Sequence, residues 1–360
     1  MIMVEHQRLA TSGARAVLPF KIAGSQYLIV PQLAIDIPNT PPHMNGGDSD
    51  TGALIYRWEQ GGWLADGQLP LSGGEDAEFF TLGNDAYLIT AGVRSGRGPY
   101  RYNLDQILYR WTRESWSPIQ SFPAFAAKQW HFFSIGERAF LALAQGLTLG
   151  HIEATNPRTS RIYEWNGARF EDFQTLDGRW GYNFESFQIG RQTFLAYADH
   201  VDESVLLAWD GSAFQPVQSF AKQAGRCFRF FEAGGTGYLA FANIQGNSML
   251  YRWEGAGFSP CQELGGAGGR EFCIVKTHSC LYLVHINFIQ GDPSAPRTAL
   301  MSRVHKWSDG QLVVVEEFPT AGATDAAVFC ADDELFVAVS NSLTPDVRFR
   351  TDTLVYRFNG

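Results

Sequence analysis

Glu78, His131, Glu185 and Arg229 follow one another at intervals of 53, 54 and 44 residues, and each lies two places before a phenylalanine (Phe80, Phe133, Phe187, Phe231). A carboxylate beside an imidazole or a guanidinium does general acid–base work when a dry pocket holds it. The plainer reading of the same set is a satisfied ion network. Two places earlier stand Asp76 and Asn183, with Glu271 and Asp325 at the matching offset from Val275 and Phe329. Their oxygens suit a hard cation, and calcium takes about six to eight such ligands. A solvated polar rim would look the same. A third group mixes guanidinium, imidazole and aromatic side chains on polar stretches: Arg94, Arg97, Tyr100, Arg101, Tyr102, His151, Phe288 and Phe349. These are candidate ligand contacts. No nucleophile elbow, H-E-x-x-H or P-loop is written in the chain. Gly265-Gly266-Ala267-Gly268-Gly269 fits a dinucleotide fingerprint poorly and reads as a turn. The five cysteines include no C-x-x-C pair, so zinc is not indicated.

The elements that carry these residues repeat. An aliphatic–aromatic–charged–Trp tetrapeptide occurs as Ile55-Tyr56-Arg57-Trp58, Leu108-Tyr109-Arg110-Trp111, Ile162-Tyr163-Glu164-Trp165 and Leu250-Tyr251-Arg252-Trp253. Looser copies end at Trp209, Trp307 and Phe358, giving seven copies spaced by 53, 54, 44, 44, 54 and 51 residues. A strand-rich unit of about 40–50 residues marks a propeller blade. Residues 124–176 show one unit. Trp130–Ile135 and Ala139–Leu143 read as strands joined by a tight turn. After a polar loop come Arg161–Trp165 and Phe170–Thr175, joined at Asn166-Gly167, where both residues tolerate positive φ. The aliphatic column Ile55, Leu108, Ile162, Leu206, Leu250, Val304, Val355 never breaks, so both faces of each sheet should be packed between neighbours. The prediction is an all-β, seven-bladed propeller of four-stranded antiparallel blades, one domain over residues 1–360. Approximate blades are 14–70, 71–123, 124–176, 177–220, 221–264, 265–318 and 319–360.

The last unit carries only three strands before Asn359-Gly360. Val4-Glu5-His6-Gln7-Arg8-Leu9 matches the fourth strands Phe214–Ser219 and Phe258–Glu263. Residues 1–10 should therefore complete the seventh blade and close the ring, covering an edge that would otherwise be open.

The fifth unit reads Phe231, Tyr238-Leu239-Ala240, Ser248-Met249-Leu250-Tyr251-Arg252-Trp253 and Phe258 to Gln262. Ser160, Ser204 and Ser302 recur at the same offset before the Trp, and Gln120, Gln174 and Gln218 at the end of their units. This ordered pattern resembles the epilepsy-associated repeat, also called the EPTP repeat, over the whole chain. The resemblance implies a seven-bladed propeller that docks onto partner proteins, hence binding in place of catalysis. It also adds weight to an ion in the channel.

Function should reside on one face. In a four-stranded meander the loop from second to third strand and the link to the next blade share a face, and the other face carries tight turns. The second-to-third loops are long at about 31–52, 92–105, 145–159, 285–301 and 341–352, and short in blades 4 and 5. Long loops in compact domains tend to be functional. The expected role is a non-catalytic interaction module, binding a protein or a small molecule on the loop face. The alternatives are an enzyme using Glu78, His131, Glu185 and Arg229, and a lectin. Loops that differ from blade to blade argue against the lectin. A net charge of −9 disfavours nucleic acid as partner. No stretch suits membrane insertion. With no apolar leader at Met1–His6 and no cysteine pairing expected, the predicted setting is cytoplasmic; a secreted form whose signal was removed would read alike.

Overall fold

A computed structural model describes residues 1–113, 115–148, 159–220 and 223–360. Seven four-stranded antiparallel sheets make up the described residues, with no helix among them. The chain runs outward through each blade. The innermost strands, from blade 1 to blade 7, are Leu18–Ile22, Gly74–Leu82, Ala127–Ile135, Gly181–Ile189, Gly225–Ala233, Gly269–Lys276 and Ala323–Ala331. The third strands carry the tetrapeptide. Their aliphatic residues are buried, with Leu108, Ile162, Leu250, Val304 and Val355 fully so. The tetrapeptide Trp is half-buried. It meets the first aromatic of its own fourth strand edge-on, as in Trp165–Phe170 and Trp209–Phe214 at 5.1 Å. On its other side it reaches the preceding blade, as in Phe140–Trp209 and Phe194–Trp253. Inner-strand phenylalanines stack between blades, Phe80 on Phe132 at 4.3 Å and Phe187 on Phe230 at 4.2 Å. Each blade therefore buries both faces against its neighbours, as the unbroken aliphatic column requires.

The ring closes through the chain's beginning. Met3–Leu9 pairs antiparallel with Thr353–Phe358, from Met3 opposite Phe358 to Leu9 opposite Thr353. Its side chains continue the seal: Gln7 donates from Nε2 to the Trp63 carbonyl and accepts the Trp63 N–H, both at 2.8 Å.

That bidentate clamp explains the recurring glutamine. Gln120, Gln174, Gln218 and Gln262 hold the N–H and C=O of Phe170, Phe214, Phe258 and Leu312 in the next blade. Glu316 takes the matching place between blades 6 and 7, accepting the Ile2 and Met3 N–H groups. Blade 1 has Gly67 at this register, opposite Ile55, and so offers blade 2 no clamp.

The turn after Trp165 differs from expectation. Trp165 pairs with Phe170, leaving residues 166–169 as the loop. Only Gly167 adopts positive φ, at 99°. Asn166 instead caps the turn, its Oδ1 accepting the Ala168 and Arg169 N–H groups.

Two consequences are measurable. Gln174→Ala leaves the buried Phe214 amide and carbonyl without partners and should cost about 1–3 kcal/mol in urea denaturation; an unchanged midpoint would refute the clamp. Deleting residues 1–12 exposes the outer edge of blade 7 and should produce aggregation or a large drop in melting temperature. A monomeric deletion variant with the parent's melting temperature would show that closure does not matter.

Candidate functional site

The inner strands line the channel, and all six from blade 2 to blade 7 share one irregularity. Pairing with the second strand skips a residue near the loop face, between Gly74 and Asp76, Ala127 and Gln129, Gly181 and Asn183, Gly225 and Cys227, Gly269 and Glu271, and Ala323 and Asp325. Each skipped residue sits in a β-bulge, which re-aims its side chain. Those residues are Glu75, Lys128, Tyr182, Arg226, Arg270 and Thr324, joined in blade 1 by Arg15. They form a ring across the channel mouth. Below it lies a cavity of about 430 Å³, and above it a vestibule of about 310 Å³ that shares Arg15, Glu75, Lys128, Tyr182 and Arg270 as its floor.

Below the ring, the residues singled out for chemistry occupy the channel wall, and most have structural partners. Six of them reach sideways to a backbone N–H of the next blade, where the inner strand is an unpaired sheet edge. Asp76 accepts from Trp130 at 3.1 Å and Glu78 from Phe132 at 2.9 Å. His131 Nε2 accepts from Ser186 at 3.1 Å. Asn183 accepts from Phe228 at 2.8 Å and Glu185 from Phe230 at 3.0 Å. Asp325 accepts from Val17 at 2.9 Å, across the closure. Arg229 spans Glu185 at 3.0 Å and Glu271 at 3.2 Å, and Glu271 also accepts the Cys227 thiol proton. Glu78, His131, Glu185 and Arg229 thus stand on one channel level, with Arg229 and Glu185 as its direct ion pair.

The electrostatics follow from enclosure. Burial lifts the Glu78 carboxyl to about 7, against the Phe132 hydrogen bond that favours its anion. Burial and the neighbouring Glu78 and Asp325 hold Asp76 well above the usual range, and burial with Glu271 brings Asp325 to about 6. Burial and Arg229 depress His131 to about 3, so it stays neutral. Asp76, Glu271 and Asp325 carry the carboxylate oxygens of the candidate cation set, but hydrogen bonds already occupy part of each donor. Among the described residues no three His, Cys, Asp or Glu side chains are grouped to hold a metal ion.

The loop residues divide differently from their sequence grouping. Arg94 is buried and donates to Ser49 Oγ at 2.9 Å and to the Asn45 and Gly46 carbonyls at 2.6 and 2.5 Å, with its guanidinium over the Tyr100 ring. Arg97 binds Asp48 at 2.7 Å, and Tyr100 donates to the Gly47 carbonyl. These three tie the blade 2 loop to the blade 1 loop. They fasten the junction that lacks a glutamine clamp and has Ala16 and Leu18 where blades 2, 3 and 4 carry Asp76 and Glu78, Gln129 and His131, and Asn183 and Glu185. Arg101 is exposed. Tyr102 and Phe288 line the vestibule. Phe349 is 1% exposed, packed beneath the loops, and offers no face to a ligand. His151 lies outside the described residues. Around the vestibule Leu33, Met44, Val93, Leu147, Phe288 and Ile289 form an apolar collar drawn from blades 1, 2, 3 and 6. Trp180 and His200 complete it on the short-loop side.

The cationic ring is what sequence reasoning missed. Counting every second residue from Phe80 or Phe133 assigns Glu75 and Lys128 to the blade interior. A bulge leaves no distinct signature in one strand; the only available signal was that Arg15, Lys128, Arg226 and Arg270 recur at one offset, five places before Phe20, Phe133, Phe231 and Val275.

Comparison with known proteins agrees with this architecture. The EPTP domain matches residues 4–59, 169–210 and 213–254. Each match begins on the outermost strand of one blade and ends on the third strand of the next, so the repeat is offset from the blade by one strand. The chain is 28% identical over 200 residues to the Homo sapiens thrombospondin-type laminin G domain and EAR repeat-containing protein, covering 54% of this chain and 27% of the relative. The Mus musculus protein of that name is 27% identical over 221 residues, covering 45% of this chain and 31% of the relative. The chain spans less than a third of the length of these relatives.

Glu78 makes the channel testable. The fold holds its proton more tightly than the unfolded chain, whose carboxyl titrates near 4.5. Its stabilising contribution is present below about 4.5 and is lost as pH rises through about 7. Glu78→Gln keeps the acceptor for Phe132 and removes the titration. The variant should be more stable than the parent at pH 8 and closest to it near pH 4.5, measured by thermal unfolding across that range. A difference independent of pH would show that Glu78 is already ionised in the fold.

Proposed function

As an EAR/EPTP-repeat propeller, this chain is, we propose, a non-catalytic interaction module that recognises its partner on the long-loop face. One observation carries the reading: loops from four blades converge into an apolar collar above a formed vestibule, while the opposite face is made of short hairpins such as residues 166–169. Binding sites are concave, mostly apolar and marked by a few converging polar groups, and the vestibule has all three properties. The polar groups that an enzyme would draw on, Glu78, His131 and Glu185, are engaged at blade junctions. The occupied junction groups support binding over catalysis. The partner is a protein surface or a small molecule that enters from the loop side. Among the described residues no helix is long and apolar enough to cross a membrane. Five unpaired thiols, Cys261 and Cys330 among them exposed, support a reducing compartment.

The face can be mapped without knowing the partner. Photocrosslinking side chains placed at Arg101 and Tyr102 on the loop face would be compared with others at Gly211 and Gly255 in the turns, each in the protein's own cells. Adducts of higher mass should form from the loop positions. Adducts from the turn positions alone would assign function to the wrong face here.

A further inference from the structure

The ring at the channel mouth has more positive charge than it neutralises. Arg15, Lys128, Arg226 and Arg270 are each at most 8% exposed, and Glu75, at 5%, is the one carboxylate on their level. Glu75 is shared between Arg270 at 3.2 Å and Arg15 at 3.7 Å. Arg15 Nε is nonetheless buried without a hydrogen-bond partner. Lys128 Nζ has neither a hydrogen bond nor a salt bridge among the described residues; its contact is the Tyr182 ring, at 5.4 Å. Arg226 donates to the carbonyl of its own neighbour Gly225 and otherwise lies over the same ring at 4.0 Å.

Such groups are expensive to bury. An unpaired buried cation is costly and persists where something compensates it. Here burial lowers Lys128 and Arg226, the latter to about 10. Tyr182, which burial alone would push up, is lowered by Arg226 and Lys128. The first effect reports enclosure and the second the positive charge around Tyr182 at the vestibule floor. Arg94, close by, is engaged by Ser49 and two carbonyls, whereas Lys128 and Arg226 have no carboxylate within ion-pair distance among the described residues.

We propose that the vestibule binds a carboxylic acid with an apolar or aromatic body, its carboxylate on Lys128 and Arg226 and its body against the collar of Val93, Leu147, Phe288 and Ile289. One carboxylate would give Lys128 and Arg226 the direct contact that Glu75, held by Arg15 and Arg270, does not make with them. Asp325, on the next level down, sets the depth at which an anion stops. The cavity of about 310 Å³ has the size of a small-ligand site. Two sources share this chemistry: a free aromatic acid, and the C-terminal carboxylate of a partner chain that ends in an apolar residue. The inference takes its location from the loop-face reading and adds the ligand's charge and class.

The test is calorimetric titration of the full chain with benzoate, with benzamide as its uncharged counterpart, with inorganic phosphate, and with a short peptide ending in Phe as free acid and as amide. Benzoate should bind and benzamide should not. A free-acid peptide that binds more tightly than benzoate, with its amide silent, identifies a chain terminus as the source. Benzoate tighter than the peptide identifies a small acid. Lys128→Met and Lys128→Gln should each weaken benzoate about tenfold or more, since a charge-assisted contact is lost. Their unliganded melting temperature should hold or rise, because an unpaired buried cation has been removed. Arg97→Ala should leave benzoate affinity unchanged. Binding of phosphate alone, equal binding of benzoate and benzamide, or no binding by any probe would overturn the proposal. So would Lys128 variants that bind benzoate like the parent. If the loop-face crosslinks form and these titrations fail, only the acid assignment falls.

Discussion

Every blade of this propeller ends in two sheet edges, and an edge is a row of amide groups that must find partners once neighbours exclude water. The structure solves this with side chains that reach from one blade to the backbone of the next. At the rim Gln7, Gln120, Gln174, Gln218 and Gln262 each hold an N–H and a C=O of the following blade. At the channel Asp76, Glu78, His131, Asn183, Glu185 and Asp325 accept N–H groups of the following inner strand. A backbone donor left unpaired at these places would cost about 1–3 kcal/mol each. Polar residues in the channel are therefore a requirement of assembly before they are anything else.

The same constraint explains where the ring departs from it. Blade 1 presents Ala16, Leu18 and Gly67 where blade 2 presents Asp76, Glu78 and Gln120. Its junction with blade 2 is held instead by Phe20 stacked on Phe79 at 4.6 Å and by Arg94, Arg97 and Tyr100 gripping the blade 1 loop. Side chains that look like ligand contacts are the fastening of that junction. What remains free on the loop face is the vestibule, with apolar walls and a cationic floor. Asymmetry between faces follows from chain direction: long loops and bulges gather at one end of the channel, tight turns at the other.

Much of this was legible. The tetrapeptide period determined blade number, and the match between Val4–Leu9 and the fourth strands located the closure that pairs Met3 with Phe358. Loop lengths located the face with the cavity. The rows containing Asp76 and Glu78 were legible as polar rows at matching offsets, although their partners, backbone amides 54 residues away, have no pattern of their own. The ring of Arg15, Lys128, Arg226 and Arg270 was not legible as a ring. Period-2 counting holds only while strand pairing is regular, and the bulge beside Gly74, Ala127, Gly181, Gly225, Gly269 and Ala323 shifts the count by one.

Sequence by itself determined the architecture because repetition is a local property: each unit states its own strands, turns and buried column, and seven statements agree. Tertiary structure decided the chemistry, because that depends on which side chains are already taken. Whether Glu78 titrates, whether Arg94 is free and whether Lys128 has a partner are all set by groups on another blade. Neighbouring blades meet only when the ring closes, and only then do the cations of separate repeats come to face one another across a single channel mouth.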